Sequence, residues 1–183
     1  MKIIIINGEL PGADNGFTSQ TKALARELGQ NHEVSYFQLN TMKINQCTGC
    51  WSCWWKTPGL CAIKDDAEII LRKAITADLM VFASPITAGF TTSLLKKFQD
   101  RLIVLIHPYI QLINGECHHK KRYEKHPNFA LFLEKEADTD LEDMEIITDI
   151  YKRLAINFHC ELNHIWISEK NNQEEIAHEL MHY

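Results

Sequence analysis

Apolar positions along this chain follow two alternating periods. Lys2 to Asn7 is an unbroken apolar run, the pattern of a strand buried on both faces. His32 to Leu39 is a second, weaker β-type run, Leu79 to Ser84 a third, and Asn128 to Glu134 and His164 to Ser168 supply two more. Between these runs the period is helical. Ser19 to Leu28 places Leu24 and Leu28 one turn apart and stops at Gly29, which predicts a helix closed by a C-terminal glycine. Ala67, Ile70, Leu71, Ala74 and Ile75 fall on one helical face behind Asp65 and Asp66, either of which suits the N-cap. Leu94, Leu95, Phe98, Leu102 and Leu105 form a third stripe, Ile147, Ile150, Tyr151, Leu154 and Phe158 a fourth, and a closing helix is expected from Gln173. The alternation predicts an α/β fold, a parallel sheet covered on both faces and joined by right-handed crossovers.

Two segments break the alternation: about 45–63, rich in Cys and Trp, and about 107–127, which contains Gly115, His118, His119 and Arg122. Each is short and flanked by core elements, so residues 1–183 are expected to form a single domain with two insertions. At 183 residues and 45% hydrophobic content, such a domain buries roughly 70% of the surface its unfolded chain exposes, and needs no staple. The short apolar run at the N-terminus, with Gly8 and Pro11 close behind, reads as a buried strand and not as a signal peptide or membrane span. That places the chain in the cytoplasm, with no membrane partner. Thiols stay reduced there, so a compact cysteine set points to metal binding or catalysis before disulfides. A net charge of -5 and a pI near 6.0 speak against nucleic acid, which selects clustered Lys and Arg. A small-molecule partner is expected instead.

In an open parallel sheet the ligand crevice lies at the carboxyl ends of the strands. The turn after the first strand runs from Asn7 to Gln20 and contains Gly8, Gly12, Gly16, Phe17, Thr18 and Ser19. Glycines, hydroxyls and backbone N–H groups at a helix N-terminus suit an anion such as phosphate; an ordinary glycine-bearing connection is the competing reading. Neither a P-loop nor Gly-x-Gly-x-x-Gly is present. After the third strand, Ser84-Pro85-Ile86-Thr87-Ala88-Gly89-Phe90 leaves open backbone for a flat ring, or else simply caps the next helix. No Ser-His-Asp or paired-carboxylate set stands out, so no catalytic side chain is assigned. His118-His119 reads as a solvated loop, Lys120 and Arg122 as surface charge, and Cys160 as a small buried residue.

Cys47, Cys50, Cys53 and Cys61, interleaved with Trp51, Trp54 and Trp55, hold four of the six cysteines in one segment that Gly49, Pro58 and Gly59 allow to fold back. Four readings stay open: ligands of an iron-sulfur cluster, ligands of zinc, metal-free packing, and reversible thiol redox.

Three stretches together resemble the flavodoxin-like NAD(P)H-dependent FMN reductases, including the iron-sulfur flavoproteins. They are the opening strand and turn, Cys47-x-x-Cys50-x-x-Cys53 to Cys61 followed by Lys64-Asp65-Asp66, and Phe82-Ala83-Ser84-Pro85 through Leu95-Lys96 to Asp100-Arg101. The resemblance covers about the first 105 residues. It implies a three-layer αβα sandwich with a five-stranded parallel sheet in the order 2-1-3-4-5. FMN is the implied cofactor and NAD(P)H the implied co-substrate, with electrons passing to a small acceptor such as a quinone or a flavin. Asn7, Gly16, Phe17, Thr18 and Ser19 would hold the FMN phosphate; Pro85, Ile86, Thr87, Ala88, Gly89 and Phe90 would line the ring. An aromatic residue is common two positions after the proline, where this chain has Thr87, and glycines are common in a third flavin loop, where it has Glu134-Lys135-Glu136-Ala137-Asp138. Cys47, Cys50, Cys53 and Cys61 lie within the spacing of a four-iron four-sulfur ligand set. A homodimer or homotetramer is also implied. Two other classes share these features: an iron-sulfur electron carrier, and a flavodoxin-like binding module without turnover.

Overall fold

The computed structural model describes residues 1–13 and 16–181, so the Asp14-Asn15 part of the first turn lies outside the described residues. Five strands form the parallel core: β1 (Lys2–Asn7), β2 (Glu33–Gln38), β3 (Leu79–Thr87), and two later ones that come seventh and eighth in the chain, β7 (Asn128–Glu134) and β8 (Leu162–Ile167). Their order is β2-β1-β3-β7-β8. Counted as parallel strands alone, that is the 2-1-3-4-5 arrangement. The register of β1 is set on both sides, Ile5 opposite Tyr36 of β2 and opposite Val81 of β3, which is why its buried stretch, Ile3 to Ile6, carries no polar side chain.

Alternation along β1 divides the core in two. Ile4 and Ile6 enter the layer with Phe82, Leu95, Phe98, Leu131 and Tyr151, whereas Ile3 and Ile5 enter the opposite layer with Phe17, Leu24, Leu28 and Phe132. The first layer is covered by α3 (Ala67–Ala74), α4 (Ser93–Gln99) and α5 (Leu141–Phe158); the second by α1 (Phe17–Leu28) and α6 (Gln173–Met181). The fold is therefore the three-layer sandwich that the sequence resemblance implies. A capping box at Asp140 and Asp143 starts α5, satisfying backbone donors that the first turn leaves unpaired.

Four features depart from the sequence reading. The stripe from Leu94 to Leu105 is two elements, α4 followed by a 3₁₀ segment Asp100–Leu105, which keeps Leu102, Val104 and Leu105 buried while turning the chain. β3 does not stop at Ser84 but continues to Thr87 and turns back into a short antiparallel β4 (Phe90–Thr91). Ala88 (φ 51°) and Gly89 (φ 73°) make that turn, both left-handed as a two-residue hairpin turn demands.

The insertion at 107–127 is the third departure: it holds a hairpin, β5 (Ile106–Ile113) and β6 (Glu116–Lys121), and not an irregular loop. Its turn is Asn114-Gly115, again with both φ positive. His118-His119 is accordingly strand and not solvated loop. His118 is buried and hydrogen-bonded to Asn157 and Glu116, and His119 faces the Trp54 ring at 5.1 Å.

The fourth departure is Arg122, which is no plain surface charge. It donates to the carbonyls of Ile106 and Cys53.

Candidate functional site

The carboxyl ends of β1, β3 and β7 open onto a crevice of about 440 Å³ lined by Leu10, Pro85, Ile86, Thr92, Glu134 and Glu169, among others. Its floor is tight. A Cβ on Gly8 would stand 2.5 Å from the Leu95 Cβ, so only glycine lets the end of β1 approach α4 this closely. Thr92 fastens the same junction: its hydroxyl donates to the Gly8 carbonyl, accepts from the Leu95 N–H as the α4 N-cap, and its own N–H donates to Ser84 Oγ.

Each sequence-assigned residue has a definite place. Asn7 is fully buried, and its amide donates to Thr18 Oγ1, Thr21 Oγ1 and the Tyr36 hydroxyl, while its carbonyl oxygen accepts from the Glu9 N–H. Gly16 (φ 81°) starts α1 without a side-chain cap. Phe17 is in the core, stacked on Phe132 at 5.6 Å. Thr18 faces the first turn, where its hydroxyl donates to the Glu9 carboxylate. Ser19 lies away from the crevice, in a groove with Lys22, Arg26 and Tyr36. Pro85, Ile86 and Thr87 border the crevice. Ala88 donates its N–H to the Glu136 carboxylate, Gly89 abuts Asp143, and Phe90 pairs with Thr87 across the turn. The structure thus joins Asn7 to Thr18 in the first turn, sets Pro85, Ile86 and Thr87 along the crevice, and leaves Phe17 and Ser19 elsewhere.

Residues outside that set give the crevice its charge. Glu9 is 4% exposed. Burial first, and then the Glu169 and Glu9 carboxylates, push the Glu134 carboxyl up to about 7. Glu134 closes β7 and Glu169 stands two residues beyond the end of β8, and an acid at the carboxyl end of a parallel strand is the signal by which the sequence displays them.

A second cavity, of about 40 Å³, lies under the cysteine segment and is lined by Cys47, Cys50, Cys53 and Cys61 with Trp54 and Arg101. The four thiols are near enough that burial, then Cys61, Cys47 and Cys50, all push the Cys53 thiol up. The segment forms one short helix, α2 (Ser52–Trp55), entered through Trp51 in the left-handed region (φ 60°). Long-range ties hold it: Trp54 Nε1 donates to the Ile103 carbonyl at 3.1 Å, and Arg122 reaches the Cys53 carbonyl.

Beneath it Arg101 and Asp65, both side chains fully buried, pair through two hydrogen bonds of 2.8 and 3.2 Å, and Arg101 also donates to the Asn45 and Ile63 carbonyls. Burial alone would raise the Asp65 carboxyl; hydrogen bonds from Arg101 and Asn45 outweigh it and hold the group at about 2. Asp65 is at the same time the acceptor for the Ala67 N–H at the start of α3, whereas Asp66 binds the Lys43 N–H. Asp66 thus holds the N-cap position of α3 but without a side-chain cap bond, and the carboxylate that accepts from the first helical N–H is that of Asp65, one residue earlier.

Among the described residues no group of three or more His, Cys, Asp or Glu is arranged to hold a metal ion; the cavity is lined by four free thiols. The crevice is open along the edge formed by Pro85, Ile86 and Thr87.

The family of NADPH-dependent FMN reductases matches residues 1–123. An iron-sulfur flavoprotein of Methanocaldococcus jannaschii is 33% identical over 101 residues, 55% of this chain and 51% of the relative. One from Archaeoglobus fulgidus is 31% identical over 103 residues, 56% of this chain and 46% of the relative. The chain spans about half the length of these curated relatives. Among solved structures, an FMN-dependent NADH-azoreductase from Bacillus anthracis in complex with FMN superposes with a TM-score of 0.67 at 12% identity, covering 98% of both chains. An NAD(P)H:quinone oxidoreductase from Methanothermobacter marburgensis gives 0.66 at 14% identity, covering 100% of this chain and 92% of that one. At such identities the likeness establishes the fold.

Proposed function

Because the chain belongs to the family of NADPH-dependent FMN reductases, we propose that it is an FMN-dependent oxidoreductase passing electrons from NADH or NADPH to a small acceptor such as a quinone or a flavin. The observation that carries this reading is the 440 Å³ crevice at the strand ends, bordered by Pro85, Ile86 and Thr87. A bound flavin supplies hydride acceptance and one- or two-electron transfer, so the protein need not provide an acid, base or nucleophile of its own. The chain's part is to position and shield. The Ala88-Gly89 turn, tied to Glu136, fixes one edge of the crevice, and the Asn7–Thr18–Tyr36 hydrogen bonds fix the first turn. Glu134, with its carboxyl near neutrality, can hold a proton at the crevice wall.

An absorption spectrum of anaerobically purified protein, followed by NADH and NADPH oxidation with a quinone acceptor, tests the reading. Flavin bands and steady turnover are expected. Absence of flavin that persists after incubation with FMN would reduce the chain to a binding module and overturn it.

A second reading is favoured by the convergence of Cys47, Cys50, Cys53 and Cys61 on one cavity: a four-iron four-sulfur centre there, making the protein an electron carrier fed by a protein donor. Iron and acid-labile sulfide near four per chain would support it, and values near zero would remove it in favour of packing or zinc.

No helix among the described residues is long and apolar enough to cross a membrane. Assembly as a homodimer or homotetramer is proposed from the exposed Leu112 (73%), Trp55 (66%) and Tyr109 (59%), apolar surface of the kind that interfaces cover. Sedimentation analysis decides it.

A further inference from the structure

We propose that the nucleotide end of NADH or NADPH lies in a groove beside the crevice, walled by Leu10, Leu39, Met42, Ile44 and Leu94, with Lys97 as the cation that meets its phosphates. The inference rests on the flavin reading above and adds to it a seat for the reductant.

The crevice has two flanks of opposite character. Toward β7 and β8 its described lining residues include the carboxylates of Glu134, Glu136 and Glu169 beside the ammonium of Lys135. A dinucleotide carries a diphosphate, and anions brought next to carboxylates away from bulk water repel strongly. That flank opposes the reductant's charge. Toward β2 lies a groove of about 290 Å³ whose described lining residues include no carboxylate. Leu10 belongs to both linings, so the groove continues the crevice. A molecule with its nicotinamide ring in the crevice can therefore lay its anionic end on this side without meeting an acid.

The groove also has the walls and the charge that a nucleotide needs. Leu39 and Ile44 are buried, and Met42 and Leu94 are half-buried over them. Aliphatic side chains and a thioether suit the faces of a flat purine. The 42–45 stretch is pinned from behind: the Lys43 N–H donates to the Asp66 carboxylate at 2.7 Å, and the Asn45 N–H to Asp65 at 2.8 Å. This wall is in place before a ligand arrives. In α4, Lys96 is committed to Asp100, whereas its neighbour Lys97 lines the groove. A lysine ammonium is a compact point charge that takes phosphate oxygens from several directions.

The test compares two reductants of the flavin-loaded protein with menadione as acceptor. One is NADPH; the other is N-benzyl-dihydronicotinamide, which delivers the same hydride and has no nucleotide. The readout is the ratio of their kcat/KM values, so a loss common to both cancels. Lys97→Glu is expected to lower the ratio, NADPH over the benzyl compound, by about tenfold or more, the scale of one phosphate contact turned from attraction to repulsion. The change should enter through KM, and calorimetric binding of NADP⁺ should weaken in parallel. Glu169→Gln, on the opposite flank, should move the ratio by less than about twofold.

A ratio indifferent to Lys97→Glu, in protein that turns over both reductants, overturns this inference and leaves the flavin reading standing. A rise of about tenfold in Glu169→Gln overturns it too, because the nucleotide would then lie along the acidic flank. Protein that takes up no flavin and oxidises neither reductant overturns the flavin reading, and this inference falls with it.

Discussion

The crevice at the strand ends and the cavity under the cysteines are both lined by residues near charge, yet they treat it in opposite ways. In the cysteine cavity a full-strength acid, Asp65, is buried with a bidentate Arg101 and held at about 2. At the crevice, burial first and then the nearby Glu169 and Glu9 carboxylates push Glu134 up to about 7. The first arrangement is a structural clamp, whose charge is neutralised so that loops from Asn45, Ile63 and the 3₁₀ segment close around the thiols. The second is an electrostatic load that the fold tolerates because the crevice opens to solvent. Strain of that kind collects where ligands bind, and paired burial collects where loops are pinned.

The comparison can be broken by substitutions on each side. Arg101→Met should be the costliest, because it leaves the Asp65 carboxylate uncompensated in a dry site; urea unfolding should show a loss of about 3–5 kcal/mol, and the four thiols should react faster with Ellman's reagent. If the loss were under about 1 kcal/mol, the clamp would be no different from a surface pair.

Acid should expose the same clamp. The folded Asp65 carboxyl sits near 2, against about 4 in the unfolded chain. Its contribution is therefore full above about pH 4 and lost as pH falls toward 2, about 2–3 kcal/mol in all. Stability measured from pH 6 down to 2 should lose that limb in Asp65→Asn.

Thr92→Val, on the crevice side, removes the α4 cap and the bond to the Gly8 carbonyl. A loss of about 1–2 kcal/mol is expected, together with weaker flavin binding, because the crevice floor loosens.

Glu134→Gln should act least and with the opposite sign. A carboxyl raised to about 7 favours folding when protonated, so its stabilising share is complete below about pH 4 and disappears as pH rises through 7. The variant should match the wild type at pH 4 and exceed it at pH 8 by roughly 1 kcal/mol once solvent screening is allowed for. Thermal unfolding at the two pH values checks it, and a variant less stable at pH 8 would refute the load.

Much of this molecule was legible along the chain. The Lys2 to Asn7 run, the Ala67 to Ile75 stripe and the Asn128 to Glu134 run became β1, α3 and β7, because a buried strand or an amphipathic helix writes its period into adjacent residues. The hairpin from Ile106 to Lys121 was missed although Asn114-Gly115 announces it; the histidines and lysines of β6 hide the alternation a strand normally shows. The crevice edge at Pro85 was readable from the strand end, and the convergence of the cysteines from their spacing. Nothing local revealed what Glu9 or Arg101 would meet.

The sequence by itself determined the order of the five parallel strands and the helices between them, the burial of β1 on both faces, and the family to which the chain belongs, since each rests on patterns within a few residues. Only the tertiary structure decided where the charges went. Arg101 finds Asp65 across 36 positions and Glu9 folds back to Thr18 across 9, and a polar residue carries no periodicity that names its partner; hydrophobic patterning brings the elements together, and the polar groups then pair with whatever that packing has placed within reach.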